Sequence, residues 1–298
     1  MSTLTRRISV TIAGLYRFGS GERSLQMLSL PSLPGSPVRL VRHFKTVEPF
    51  EAAGLIRPGS TVAVGWLGDG LATALADAFV ARTQPSDLTI VYSETHREGR
   101  NHGLNLLAHE GLVRRVVGGQ WHPVPGLQAM AKANRIEAYS LPVGIINRLF
   151  RDIAEGLPGH VSRTGLGTST DPRNGGGRLN RRTREALVRL VRPAGDEALL
   201  FHGFPIDVAC IGVCFMEGTA AVAMTRDSMT IARAAHKSGG LVIAQVDRVG
   251  TLEKLPPGQV IVPDTLIDIL LPADTREKAW ETFSSPGGPA PGSRRLTD

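Results

Sequence analysis

Seven short apolar runs are interspersed with four segments of helical period, and this arrangement constrains the fold more than any other feature. The predicted strands are TVAV (61–64), LTIVYS (88–93), VRRVVGG (113–119), EAYSLP (137–142), ALLFHGF (198–204), DVACIGV (207–213) and LVIAQV (241–246). The predicted helices are LATALADAFVAR, VPGLQAMAKANR, IINRLFRDIAEG and DSMTIARAAHKSG. Strands separated by helices of this length predict βαβ units on a mostly parallel sheet that is covered on both faces.

The character of the chain changes near residues 46 and 275. Residues 1–45 lack a sustained period and contain SLPSLPGSPVR, which predicts an irregular N-terminal arm. Arginines without acids before Glu22 are also typical of a transit peptide, so this second interpretation of the arm stays open. Residues 46–275 form the predicted α/β domain, and residues 276–298 are predicted to be a disordered tail.

Composition predicts a soluble globular protein, since 42% of the residues are hydrophobic and 20% are charged. No apolar run approaches the roughly 20 residues of a membrane span, so the sequence predicts no membrane crossing, and the expected location is the cytoplasm. The two cysteines, Cys210 and Cys214, are too few for a disulfide framework. Their spacing of four residues in a predicted strand indicates reduced core side chains.

The net charge of +7 is concentrated in two stretches. Between Arg163 and Arg192 there are eight arginines and two acids, and residues 1–48 hold seven basic residues and two acids. Such patches fit an anionic small molecule or an acidic protein partner. Nucleic acid is not the predicted partner, because no known binding signature accompanies the charge and only 5% of residues are aromatic.

The stretch TVAVGWLGDGLATALADAF (61–79) predicts a strand, a glycine-rich turn and a helix. Gly68, Asp69 and Gly70 give the G-x-G of a dinucleotide site, and Glu94 stands about where a ribose-binding acid belongs. Asp69, however, places a carboxylate where the backbone must approach a pyrophosphate, and no Gly-Lys-Ser/Thr follows as in a P-loop. Nicotinamide or flavin binding is therefore the weaker interpretation.

Histidines and acids crowd the segment that follows, which raises the question of a metal site. The residues are Glu94, His96, Glu98, His102, His109 and Glu110. They form neither an H-E-x-x-H helix nor a set of ligands at a recognised spacing, so no metal is predicted.

A longer series of motifs follows the glycine turn. The motifs are DLTIVYS, GLNLLAHEGLVRRVVGGQW, IEAYSLPVGIINRLFRDIAEGLPG, GLGTSTDPRNGGGRLN, FHGFPIDVACI and KSGGLVIAQVDRV. From about Pro49 to Ala273 the chain resembles the N-terminal half, the α subunit or α domain, of family I coenzyme A transferases, particularly the acetate and propionate branch. The resemblance implies a three-layer α/β/α fold with a mostly parallel sheet.

The resemblance also implies a ping-pong transfer of coenzyme A from an acyl-CoA to a free carboxylate. In that family a glutamate attacks the thioester, forming first an acyl anhydride and then a glutamyl-CoA thioester. This glutamate belongs to the β half, and Glu217 in MEGT lies in the wrong half. We therefore expect no catalytic residue in this chain, a partner in the form of a separate β subunit, a CoA thioester and a carboxylate as substrates, and no permanently bound cofactor.

The turn after the first predicted strand resembles the glycine-rich loop of the family, which lines the acyl pocket. The resemblance assigns this role to Gly65, Trp66, Gly68 and Gly70. Glycine permits positive φ and a close backbone approach, which would expose N–H donors to a developing oxyanion. Two alternatives stay open, namely that these glycines only make a tight turn and that Trp66 is a core aromatic residue.

Two other segments are candidates for the pocket. Gly165, Gly167 and Thr168 are expected to form a second loop at a strand end, followed by a structural turn at Asp171–Arg173. Val143 and Gly144 stand where the family has Gln-Gly after a proline, which removes an amide that could bind a substrate carboxyl.

The chain departs from the family at several further positions. Ala72 and Thr73 replace a Pro-Glu pair, Gln120 replaces a histidine, and the segment 210–223 is shortened. The leading hypothesis is the α subunit of a CoA-transferase. The alternatives are a diverged thioester hydrolase, decarboxylase or lyase on the same scaffold, and a non-catalytic structural subunit.

Overall fold

The computed structural model describes residues 44–94, 101–217, 220–246 and 260–272, with the backbone alone at 214–217 and 220. These residues belong to one unit, Leu40–Asp298. Residues 1–43 and 273–298, which hold nearly all of the predicted arm and the predicted tail, lie outside the described part of the chain.

Four of the five helices in the described residues begin and end close to their predicted bounds, and the first, a short one, was not predicted. They are α1 Pro49–Ala53, α2 Asp69–Arg82, α3 Pro125–Lys132, α4 Val143–Ala154 and α5 Ser228–Lys237. The first strands are β1 Lys45–Thr46, β2 Thr61–Val64, β3 Leu88–Tyr92, β4 Val113–Gly118, β5 Glu137–Ser140, β6 Gly159–Ser162 and β7 Val188–Val191. The remaining strands are β8 Ala198–His202, β9 Val208–Glu217, β10 Ala220–Ala223, β11 Leu241–Val246, β12 Ile261–Pro263 and β13 Ile269–Leu271. None of the helices in these described ranges is long and apolar enough to traverse a lipid bilayer.

One large sheet organises the domain. Its main path, within the described residues, runs β1-β13-β11-β9-β2-β3-β4-β5, and every neighbouring pair on this path is parallel. Strands β10 and β12 extend it as antiparallel neighbours beside β9. The prediction of a mostly parallel sheet is confirmed.

Helices cover both faces of this sheet, because side chains along each strand alternate between two apolar clusters. In β2, Val62 and Val64 join the cluster under α1, α2 and α3, whereas Ala63 joins the cluster under α4 and α5. A strand that is buried on both faces is apolar on both, which explains the run Val62–Ala63–Val64. The three-layer α/β/α fold is confirmed.

The prediction for ALLFHGF was wrong in one respect. Ala198–His202 forms β8, but this strand lies between β6 and β7 in a separate antiparallel sheet of three strands. Leu199 and Phe201 of β8 are buried against the α4 and α5 side of the core. The sequence did not reveal this sheet because the apolar residues of its outer strands are interrupted, in β6 (GHVS) by a histidine and a glycine and in β7 (VRLV) by an arginine.

Candidate functional site

The parallel strands bring several polar and glycine-rich connections to one edge of the sheet. Chain segments leave the carboxyl ends of β2, β3, β4 and β5 at Gly65, Ser93, Gly119 and Leu141, and β11 reaches the same edge at Gln245 and Val246. Ligands of open α/β sheets bind at this edge. The predicted glycine turn and the Val143–Gly144 segment both lie here.

The first part of the glycine turn continues the sheet. The N–H groups of Gly65 and Trp66 both donate to the carbonyl oxygen of Cys210 in β9, at 3.0 and 3.1 Å. Neither Gly65, Gly68 nor Gly70 has a φ in the left-handed region. These glycines are therefore not required for an unusual backbone conformation, and the Gly65 and Trp66 amides are already bonded.

Gly68 faces the side chain of Gln245, which was not among the predicted site residues. Its N–H donates to Oε1 of Gln245 at 2.6 Å, and a Cβ on Gly68 would lie 2.5 Å from Nε2 of the same side chain. Gln245 lies 177 positions away, so only the sheet order brings the two residues together. The one signal in the sequence is a polar residue inside the apolar run LVIAQV.

Trp66 lies over a second glycine. A Cβ on Gly212 of β9 would lie 2.5 Å from Cγ of the Trp66 ring and 2.7 Å from the sulfur of Met224. Gly212 is also the neighbour of Gln245 in the pairing of β9 and β11. The glycine therefore makes room for the indole on the sheet, beside the Gln245 side chain.

Asp69 is the first residue of α2, and its carboxylate holds a neighbouring segment. It accepts the N–H of Gly103 at 2.8 Å and lies 2.7 Å from Nδ1 of His102. A carboxylate at the start of this helix repels the negative charge of a pyrophosphate, which disfavours dinucleotide binding here.

A cluster of hydroxyl groups around Asp227 lies beside Gly65. The Asp227 carboxylate accepts Ser93 Oγ at 2.9 Å and Thr225 Oγ1 at 2.6 Å, and Thr225 Oγ1 is also 2.6 Å from Ser228 Oγ. A Cβ on Gly65 would lie 3.6 Å from Oδ1 of Asp227. Nothing in the sequence indicated this cluster because Ser93 and Asp227 are 134 positions apart.

Val143, the first residue of α4, lies beside Gly119 at the same edge of the sheet. A Cβ on Gly119 would overlap the carbonyl oxygen of Ser93 and lie 2.8 Å from Cγ2 of Val143. A Cβ on Gly144, by contrast, would have no neighbour within 4 Å. Contacts thus run from Gly65 through Asp227, Ser93 and Gly119 to Val143.

The second predicted loop is arranged around a buried carboxylate. Asp171 is fully buried and accepts the Arg173 guanidinium at 2.7 and 2.9 Å and the Gly167 N–H at 2.9 Å. These bonds, above all those from Arg173, hold the pKa of Asp171 well below its usual range. Thr168 turns its hydroxyl back to the Gly165 carbonyl oxygen at 2.7 Å.

This second loop is anchored at the carboxyl end of β5. The Ser140 N–H donates to the Gly177 carbonyl oxygen at 2.8 Å, and Gly177 in turn donates to Ser169. Among the described contacts of Gly165, Gly167 and Thr168, none reaches residues 65–70. The structure therefore brings six of the predicted pocket residues to one edge, and the remaining three surround Asp171.

The cysteine prediction is tested at one position. Cys210 is buried and unpaired in β9, and burial raises the pKa of its thiol to about 12. It is therefore a neutral core side chain at physiological pH. For Cys214, and for the alternative acid Glu217, the described structure includes the backbone alone.

The crowded histidines and acids make other contacts. Within residues 44–94, 101–217, 220–246 and 260–272, no group of three or more His, Cys, Asp or Glu side chains is arranged to hold a metal. Glu110 pairs with Arg135, and the His109 ring lies 6.4 Å from the Phe79 ring. His96 and Glu98 lie outside the described residues.

A family model, curated relatives and solved structures all relate this chain to coenzyme A transferases. The family model described as Coenzyme A transferase matches residues 48–272. Caffeate CoA-transferase from Acetobacterium woodii is 32% identical over 248 residues, which cover 80% of this chain and 47% of that protein. The crystal structure of the acyl-CoA transferase YdiF from E. coli O157:H7, as a thioester complex with CoA, has a TM-score of 0.69 and 32% identity, covering 77% of this chain and 47% of that one.

This chain covers about half of those two relatives but most of a third, shorter one. The chain spans about half the length of the caffeate CoA-transferase and YdiF chains. The third relative is a single subunit of the succinyl-CoA:3-ketoacid coenzyme A transferase from Xanthomonas campestris pv. campestris (strain B100). It is 25% identical over 234 residues, which cover 77% of this chain and 88% of that relative.

Proposed function

Since the chain belongs to the coenzyme A transferase family, we propose that it is the α subunit of an enzyme that moves coenzyme A from an acyl-CoA to a carboxylate. The nucleophilic glutamate lies on a separate β subunit. The Xanthomonas relative, which is named as one subunit of its enzyme and which this chain covers over most of its length, supports a division into two chains. The observation that carries the proposal is the glycine turn held at the carboxyl edge of the sheet by Cys210 and Gln245.

The proposed chemistry explains why a fixed backbone is useful at this edge. When the partner's glutamate attacks the thioester carbonyl carbon, the carbonyl oxygen becomes an oxyanion before the CoA thiolate leaves. A preorganised N–H donor aimed at this oxygen stabilises the transition state by roughly 2.7–4 kcal/mol. The thiolate then attacks the glutamyl carbonyl of the anhydride, which gives glutamyl-CoA and frees the first acid. The acceptor carboxylate attacks this thioester and displaces the thiolate, which attacks the acceptor's acyl carbon in the new anhydride and releases the glutamate carboxylate.

Among the four predicted residues of the turn, Gly65, Trp66, Gly68 and Gly70, the hydrogen bonds narrow the choice of oxyanion donor. Gly65 and Trp66 donate to Cys210, and Gly68 donates to Gln245. Gly70 is the second residue of α2, where no acceptor exists within the helix, and its N–H has no hydrogen-bond partner among the described residues. We assign the oxyanion donor to Gly70, with Trp66 and Val143 as walls of the acyl pocket.

The remaining predicted residues have supporting roles in this proposal. Gly65 lets α5 and the Asp227 cluster approach the turn, and Gly144 leaves open space at the start of α4. Gly165, Gly167 and Thr168 shape the neighbouring loop around Asp171. We place the protein in the cytoplasm, which subcellular fractionation of the full chain would check against the transit-peptide interpretation of residues 1–45.

Co-expression with a β-type chain tests the function. The complex, but not the isolated α chain, is expected to exchange CoA between acetyl-CoA and a labelled carboxylate, and borohydride or hydroxylamine is expected to trap the glutamyl-CoA thioester on the partner. Thioester loss that needs no acceptor carboxylate would instead establish a hydrolase. Full transfer by the β-type chain alone would establish a structural role for the α chain.

A further inference from the structure

Gln245 is an unusual residue for its position. It lies in β11, an interior strand of the sheet, and its neighbours Ile243, Ala244 and Val246 are buried and apolar. The Gln245 amide is partly buried, so it loses contact with water. This loss costs free energy unless a hydrogen bond within the protein offsets it. That bond is the one to Gly68.

The fit between Gln245 and Gly68 is steric as well as polar. The Gln245 carboxamide occupies the space of a side chain at position 68, with Nε2, Cδ and Oε1 at 2.5, 3.0 and 3.0 Å from the place of a Cβ. The amide plane thus lies against the Gly68 backbone while Oε1 accepts its N–H at 2.6 Å. Glycine at 68 and glutamine at 245 form a matched pair.

The turn is consequently fixed at three points on two strands. Gly65 and Trp66 bond to Cys210 of β9, the Trp66 ring lies over Gly212 of β9, and Gly68 bonds to Gln245 of β11. Gly68 is the N-cap of α2 and has no side chain to cap that helix. Its orientation therefore sets the direction of the Gly70 N–H, two residues later.

We propose that Gln245 is a positioning residue, which orients the start of α2 so that the Gly70 N–H points at the acyl oxygen. The assignment rests on the proposed function for its catalytic consequence, but the Gln245–Gly68 contact itself does not. Gln245 makes no contact with reacting atoms in this proposal. It acts through the backbone of Gly68.

Two substitutions remove the contact in different ways. Gln245→Met keeps the length of the side chain but lacks an acceptor, and Gln245→Asn keeps the amide but is one methylene too short. Gln128→Met in α3 is the matched control, since Gln128 is partly buried and lies in no predicted site. Each variant is assayed as the complex with its β chain.

A positioning role for Gln245 and a purely packing role predict different values of kcat, hydrogen exchange and Tm in these variants. We expect both Gln245 variants to lower kcat about tenfold with KM changed less than about twofold, and the control to match wild type. In both, amide hydrogen exchange at Gly68 is expected to accelerate about tenfold, whereas Tm stays close to that of wild type. Unchanged kcat in both variants, or a loss of kcat that tracks a fall in Tm, would overturn the proposal.

The exchange measurement separates two kinds of failure. If the wild-type complex transfers no CoA, the proposed function fails, but faster exchange at Gly68 in the isolated Gln245 variants would still establish the contact. If transfer is normal and Gly68 exchanges alike in all variants, the positioning role alone is wrong.

Discussion

Two glycine-rich segments of this protein use glycine for different physical reasons. In the turn 65–70, no glycine has a left-handed φ, and Gly68 is needed because the Gln245 side chain occupies the place of a Cβ. In the loop 165–177, all five glycines have φ between +65° and +120°, a region that disfavours other residues. Substitutions in the turn should therefore disturb a contact, and substitutions in the loop should strain the backbone.

The largest effect on stability is expected in the loop, from Asp171→Asn. The substitution removes the carboxylate that Arg173 and the Gly167 N–H bind inside the protein. Because the folded pKa of Asp171 is lowered, its contribution is complete above the unfolded pKa of about 3.9 and is lost as the pH falls through the folded pKa.

Thermal unfolding between pH 7 and pH 2 checks this prediction. At pH 7 the variant should have a Tm lower than that of any other variant described below, and its difference from wild type should narrow below about pH 4. Asp196→Asn, an exposed carboxylate that lies 3.5 Å from Arg163, is the control and should leave Tm nearly unchanged. A difference that stays constant from pH 7 to pH 2 would contradict the role of ionised Asp171.

The next largest losses of stability are expected from Gly177→Ala and Gly167→Ala, which together separate backbone strain from steric overlap in the loop. Gly177→Ala places a Cβ 2.9 Å from the Ser140 carbonyl oxygen and forces φ +77° on alanine, whereas Gly167→Ala has φ +73° but open space. We expect a loss in the free energy of unfolding of about 1–2 kcal/mol at Gly167 and a further 1–3 kcal/mol or so at Gly177. Urea denaturation of both variants measures the difference, and equal losses would show that the Ser140 contact is unimportant.

A smaller loss is expected beside the turn, from Gly212→Ala. The new methyl group would push the Trp66 indole and the Met224 sulfur away from β9, at about 1–3 kcal/mol for overpacking. The intrinsic tryptophan fluorescence should shift with the displaced ring. Gly212→Ala with the emission and stability of wild type would mean that Trp66 does not depend on this gap.

The smallest effect on stability, and the clearest on activity, is expected at Gly68→Ala. The added Cβ would displace the Gln245 carboxamide and break one hydrogen bond, at about 1 kcal/mol of unfolding free energy. In the complex with a β chain, kcat should fall about tenfold. Gly54→Ala is the control because Gly54 ends α1 and has an ordinary helical φ of −66°. If the Gly54→Ala variant loses as much activity as the Gly68→Ala variant, the contact between Gly68 and Gln245 has no specific role in activity.

Local patterns in the sequence predicted much of the main sheet. The run TVAV gave the bounds of β2 because both faces of that strand are buried. The resemblance to the family singled out the glycine turn and Val143 as pocket residues, and the structure places both at one edge because the carboxyl ends of parallel strands share an edge. The antiparallel sheet of β6, β7 and β8 was missed because polar residues interrupt the short outer strands GHVS and VRLV.

The sequence alone determined the α/β class, the parallel sheet and the family, because apolar periodicity and ordered motifs are local properties of the chain. Only the tertiary structure decided which backbone amides of the turn are already bonded, and that Gln245 and the Asp227 cluster adjoin it. These contacts join residues more than a hundred positions apart. Their geometry depends on the order of strands in the sheet, and that order is fixed by the packing of the whole domain rather than by any one segment.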